Sequence, residues 1–124
     1  MARSASRYVD GFVLPVPKKK IGEYRKMARF AGRIWREHGA LEFRECRGED
    51  FRAQVGVAFP KLAKAKSGET VFFSWIGFKS RKHRDSVNAK VMKDPRLGKM
   101  MEGKAMPFDV KRMSYGGFEV LVDE

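Results

Sequence analysis

Two polar residues stand four apart in "SRKHRDSVNAKVM", at Arg84 and Asn88, and a lone aspartate, Asp10, sits in the middle of "YVDGFVLPV". On a helix, positions i and i+4 share one face. Val87, Val91 and Met92 mark that face as the buried one, while Asp85, Ser86 and Lys90 fall outside it. A buried guanidinium and a buried amide need partners, because each unsatisfied group costs on the order of 1–3 kcal/mol. Asp10, on the same side of its strand as Tyr8 and Phe12, makes the matching demand, which Arg84 or Arg112 can meet. With Trp75 and Tyr115 as apolar walls, these residues describe a ligand pocket between sheet and helix. In it Arg84 binds an anionic group, and His83, in the first helical turn, is the candidate general base. The same charges also describe a structural ion pair that ties helix to sheet without any ligand.

A second constellation is a stripe of arginines at Arg25, Arg29, Arg33 and Arg36, preceded by Lys18, Lys19 and Lys20 and bordered by Glu23 and Glu37. Such a stripe on an outer helix face is either a solvated surface or the footprint of RNA or DNA. A sheet whose aromatics are needed for burial leaves none free to stack bases, which ranks nucleic acid second. His38 lies beside Ile34 and Trp35 and reads as packing or capping, and Cys46 as a small buried hydrophobe. No GxxxxGK[ST], GxGxxG, HExxH or GxSxG pattern occurs, and no CxxC or Cys/His cluster is spaced for zinc, so neither metal nor cofactor is expected.

These residues need a frame. At 124 residues, 43% of them hydrophobic, the chain has the size and apolar content of one domain with its own core. A net charge of +12 favours anionic partners, whether nucleic acid or acidic small molecules. One cysteine rules out an internal disulfide and fits a reducing cytoplasm, and "MARSASR" lacks the apolar run of a signal peptide. No stretch of about 18 apolar residues suggests a membrane span, so a cytoplasmic protein without a membrane partner is expected.

Tyr8 to Val16 reads as a strand closed by "PVP", with Pro17 suited to the first turn of a helix over Ile21 to His38 that Gly39 ends. Leu41 to Cys46 alternates as a second strand, and Val71 to Phe78 is a third, apolar on both faces. Ser80 caps a helix to about Met92, "DP" opens a short one through "RLGKMM", and Arg112 to Val122 forms the last strand. Residues 1–6 are expected to be disordered, and 47–70 to be an elaborated middle segment, helix or loop. The order is that of an α+β, ferredoxin-like βαββαβ subunit with an antiparallel sheet, in which the first and last strands are neighbours. "DGF" and "GGF" then fall side by side, where glycine admits a ring from the next strand. Two main helices cover one face of such a sheet, and the apolar set on the other face calls for a second layer.

"YVDGFVLPVP", "YRKMARFAG..WREHGALEFRE", "ETVFFSWIGFKSRKHRDSVNAKVMKDPR" and "MPFDVKRMSYGGFEV" together resemble the YbaA-like bacterial proteins, domain-of-unknown-function family 1428, of the dimeric α/β-barrel superfamily. The resemblance runs over nearly the whole chain and departs at "RGEDFRAQVGVAFPKLA". It implies a homodimer made by packing the sheets of two subunits, and no particular activity, because the superfamily spans enzymes and plain binding proteins. The expectation is a homodimer that binds, and in an enzymatic version transforms, a small anionic molecule. The alternatives are a basic nucleic-acid-binding protein and a dimeric scaffold without a ligand.

Overall fold

The computed structural model describes residues 6–52, 55–103 and 105–124. Strand β1 (Tyr8–Pro17) leads through a 3-10 turn at Lys18–Lys20 into helix α1 (Ile21–Glu37). Strand β2 (Glu42–Arg47), the short helix α2 (Phe59–Leu62) and strand β3 (Glu69–Phe78) follow. Helices α3 (Arg81–Met92) and α4 (Pro95–Met101), a 3-10 turn at Val110–Arg112 and strand β4 (Ser114–Glu119) complete the order. The four strands form one open sheet in the order β2-β3-β1-β4, and every neighbouring pair is antiparallel.

Local chemistry explains most boundaries. Ser80 caps α3 by accepting from the His83 N–H, and Asp94 caps α4 by accepting from the Arg96 N–H. Gly39, at φ +116°, supplies the left-handed residue that ends α1. Beyond shifts of one or two residues elsewhere and a last strand that ends at Glu119 rather than Val122, two boundaries differ from expectation. Pro17 is the last residue of β1 rather than the start of α1, and Arg112 belongs to the turn before β4 rather than to that strand. Both lie where backbone pairing partners run out, which residue types alone do not reveal.

Strand register assigns the faces. Tyr8, Asp10, Phe12, Leu14 and Val16 of β1 stand beside Phe78, Ile76, Ser74, Phe72 and Thr70 of β3 on the side that carries α1 and α3. Two clusters fill that interface. Ile34, Ala40, Ile76, Phe78, Val87, Val91 and Leu97 pack at one end, and Leu14, Val16, Tyr24 and Phe72 at the other. Burying a side chain of this kind contributes about 1.5–3 kcal/mol.

The opposite face presents Val9, Val13, Phe73, Trp75 and Phe118, with Phe73 at 46% and Phe118 at 59% exposure. The middle segment covers one corner of it. Val71 is buried, Phe59 of α2 meets Phe73 edge-on with ring centroids 6.1 Å apart, and the Gly48 N–H donates to the Val71 carbonyl. Cys46 lies on this face beside Phe73 and is exposed, a correction to its expected burial, because β2 is an edge strand.

The two glycine motifs do meet. Gly11 pairs with Gly116, the Phe118 ring lies over Gly11, and the Tyr8 hydroxyl occupies the space that a side chain at Gly117 would need. Of the stretch expected to be disordered, residues 1–5 lie outside the described residues. Ser6, the last of them, is buried and donates to Glu42 at 3.3 Å.

Candidate functional site

The phase of α3 brings Arg84 and Asn88 onto Asp10. Arg84 Nη1 donates to Asp10 Oδ1 at 2.7 Å, and Asn88 Nδ2 donates to Asp10 Oδ2 at 3.2 Å. Trp35 of α1 donates its indole N–H to Asn88 Oδ1 at 3.0 Å, so one carboxylate links both main helices to β1. Arg84 is further held by Asp85 through Nε at 2.8 Å and by the Tyr8 hydroxyl at 3.4 Å, with its guanidinium 5.1 Å from the Tyr8 ring centre. Arg112 is engaged elsewhere. It forms a two-pronged pair with Glu69 at 2.7 and 2.8 Å and a third bond to Asp109. That fork draws the Glu69 carboxyl down to about 2.

Three residues expected at the pocket are placed otherwise. Trp75 stands opposite Gly11 on the other sheet face, where it donates to Glu42 at 3.1 Å, so it cannot wall a site at Asp10. Tyr115 is on the correct face but at the edge, stacked on Phe12 at 5.9 Å and 73% exposed. His83 accepts from the Lys79 N–H through Nδ1 at 2.9 Å and packs edge-on to Phe78, which commits to the start of α3 the nitrogen that a general base would use. His38 is the C-cap residue of α1, its backbone N–H donating to the Ile34 and Arg36 carbonyls, while its ring bonds the Asp94 carboxylate at 2.8 Å.

Beside this network lies a cavity of about 550 Å³ where the start of β1 meets the start of α3. Arg7, Lys79 and Arg81 bring positive charge to its lining, Glu119 brings the opposing carboxylate, and Tyr8 and Ser80 add hydroxyls. The first N–H groups of a helix have no partner within it and favour negative charge. Tyr8 belongs both to this cavity and to the Arg84 network.

A buried polar cluster that the sequence reading did not single out joins α1 to β2 and β3. The Tyr24 hydroxyl donates to Glu45 Oε1 at 2.8 Å, and the Ser74 hydroxyl donates to the same oxygen. Burial pushes the Glu45 carboxyl above its ordinary value, partly offset by these two donors. Burial, and then the charge of Glu45, pushes the Tyr24 phenol well above the tyrosine range. Glu45 alternates with Phe43, and that spacing is the signal which could have placed it inward.

The arginine stripe divides. Arg25, Arg29 and Arg33 line a groove of about 1140 Å³ between α1 and the stretch from α4 to Pro107. Arg36 instead turns back on the end of its own helix, donating to the carbonyls of Ala40 and Leu41. The floor of the groove is apolar, with Met27, Phe30, Met100, Met101 and Met106.

Among the described residues no group of three or more His, Cys, Asp or Glu side chains could hold a metal ion, and no helix is long and apolar enough to cross a membrane.

Residues 7–110 match the model of the family described as protein of unknown function DUF1428. The chain belongs to that family. It is 46% identical over 118 residues to the uncharacterised YbaA proteins of Escherichia coli K12, Escherichia coli O157:H7 and Shigella flexneri, covering 95% of this chain and 99% of each relative. A solved structure from Burkholderia cenocepacia, 10% identical, aligns with 95% of this chain and 27% of its own at a TM-score of 0.31, too weak a likeness to inform fold or activity.

Proposed function

We propose that this member of DUF1428 is a homodimer of ferredoxin-like subunits that binds a small anionic molecule, each subunit taking it up in the cavity between β1 and the start of α3. One observation carries the ligand reading: Lys79 and Arg81, with Arg7 held by Asp123 at 3.4 Å, and the start of a twelve-residue helix capped by Ser80 surround a cavity of about 550 Å³ whose lining, among the described residues, holds one carboxylate, Glu119. Arg84 itself is already matched by Asp10 and Asp85, so its part is to hold Tyr8 at the cavity wall rather than to grip the ligand.

The dimer reading is supported by the sheet. Helices α1 and α3 lie on one side, while Val9, Val13, Phe73 and Phe118 form an apolar set on the other. A second copy of the same face is the covering layer that symmetry supplies at least cost.

Two measurements test the pair. Light scattering with sizing should return about twice the 14.2 kDa chain mass, and a stable monomer at micromolar concentration would end the dimer reading. A thermal-shift series with phosphate, oxalate and citrate should raise the melting temperature of the native protein, as binding to the folded state alone requires, and should do so much less after Arg81→Gln. If none of the three stabilises the native chain, or if Arg81→Gln responds equally, the cavity is not the site.

A further inference from the structure

The groove between α1 and α4 has a composition that neither a small anion nor a nucleic acid explains. Arg25, Lys26, Arg29, Arg33 and Lys99 stand around it without a hydrogen-bond or ion-pair partner among the described residues, and Glu23 is the one acidic residue of its lining. Arg96, also in the lining, is already held by Glu37 and Asp94. Unpaired guanidinium groups arrayed along one wall call for negative charge arrayed the same way.

Spacing gives that charge a form. Arg25, Arg29 and Arg33 recur every four residues, so their backbone positions step along the α1 axis by about 6 Å and span about 12 Å in all. A single carboxylate or phosphate meets one of them and leaves the others unpaired. A helix bearing acidic residues at i, i+4 and i+8 repeats the same step and meets all three.

The floor narrows the choice further. Four methionines and one phenylalanine form it, and Phe30 and Met101 are 38% and 45% exposed. Methionine is unbranched and polarisable, suited to packing against the apolar stripe of a docked helix. Single-stranded nucleic acid takes much of its binding from stacking on aromatic rings, and this floor offers one. A long-chain fatty acid would use the floor but has one charge for five cations.

We propose that the groove between α1 and α4 is a docking site for an acidic amphipathic helical segment of another protein, its carboxylates on Arg25, Arg29 and Arg33 and its apolar stripe on Met27, Phe30 and the methionines of Met100–Met106. The groove is on the helix-bearing side of the sheet, so it stays open when the opposite face is covered by a second copy.

The probe is a fluorescent synthetic peptide of about 18 residues, with Glu at i, i+4 and i+8 and Leu along the adjoining stripe, followed by anisotropy. The comparators are a scrambled peptide of the same composition, a single-stranded oligonucleotide and dodecanoate. The patterned peptide should bind at least about tenfold more tightly than its scramble, because the scramble cannot present both stripes at once. Arg29→Glu should weaken it by about tenfold or more, and a peptide with Lys in place of the facing Glu should recover the loss on that variant. Met101→Asp should weaken it as well, while both variants keep the native circular dichroism and melting profile, which separates loss of binding from loss of fold.

Equal binding of patterned and scrambled peptides marks a nonspecific polycation and overturns the proposal. Tighter binding of the oligonucleotide, displacement of the peptide by dodecanoate, or retained affinity in Arg29→Glu overturns it too. So does dissociation of an oligomer by Arg29→Glu, since the groove would then be filled by this chain itself.

Discussion

Each of the two main helices is fastened to the sheet by one carboxylate, Asp10 buried and Glu45 half-buried, and the two fastenings are built differently. Asp10 holds α3 through a cation and an amide, Arg84 and Asn88, with Trp35 extending the link to α1. Glu45 holds α1 through two hydroxyls, those of Tyr24 and Ser74, and no cation reaches it among the described residues. A carboxylate with a guanidinium is compensated as an ion. A carboxylate with neutral donors is compensated in part, and the protein makes up the balance by favouring its protonated form. The first kind of fastening works best when ionised and the second when neutral, so mutation and pH should separate them.

The largest effect is expected from Arg84→Met, which leaves Asp10 at 5% exposure with an amide and no countercharge. Removing one partner of a buried pair costs on the order of 3 kcal/mol, read as a shift of the urea midpoint at unchanged slope. Asp10→Asn with Arg84→Met should be milder than Arg84→Met alone, because no uncompensated ion remains. Equal losses in the single and double variants would show that Arg84 acts through packing rather than charge.

Glu69 sharpens the comparison as a second carboxylate of the paired kind. Arg112 holds its carboxyl at about 2, below the ordinary 4.5, so the folded state releases this proton more readily than the unfolded chain. The stability it contributes is present above the unfolded value and is lost as pH falls from about 4.5 towards 2. Glu69→Gln should cost on the order of 2 kcal/mol near neutrality and flatten the acid limb of the stability curve. An unchanged acid limb would show that the fork to Arg112 does not govern acid unfolding.

Much of this was readable from residue order because it depends on local phase. Arg84 and Asn88 fall inward by the 3.6-residue period counted from Ser80, and Ser80, Asp94 and Gly39 mark helix ends by their own backbone chemistry. The face of Trp75 was not readable. Both alternating sets of β3 are apolar, so alternation separates them without saying which meets the helices, and the pairing of Asp10 with Ile76 decides it. The middle segment was opaque for a related reason. Phe59 is organised by contact with Phe73, and Gly48 by its bond to the Val71 carbonyl, across the chain rather than by a period of their own. Glu45 went unnoticed because a glutamate on a short edge strand ordinarily points to water, and its burial depends on Tyr24 arriving from α1.

The smallest effect, and the one with the opposite sign, belongs to Glu45. Burial raises its carboxyl above the ordinary value, so the folded state holds that proton more firmly than the unfolded chain does. The sign of the linkage therefore reverses relative to Glu69: the contribution is complete below the unfolded value and is lost as pH rises through the folded one. Glu45→Gln keeps an acceptor for Tyr24 and Ser74 at nearly the same volume and cannot ionise. The variant should be as stable as the native protein in mild acid and more stable near neutrality, by on the order of 1 kcal/mol. Chemical denaturation of both proteins between about pH 4 and 8 reads the difference directly. A gap that widens as pH rises supports a fastening that works best when neutral. A gap that is constant with pH, or a variant less stable than the native chain at neutrality, would mean that Glu45 is held as an ion after all and that the two helices are fastened alike.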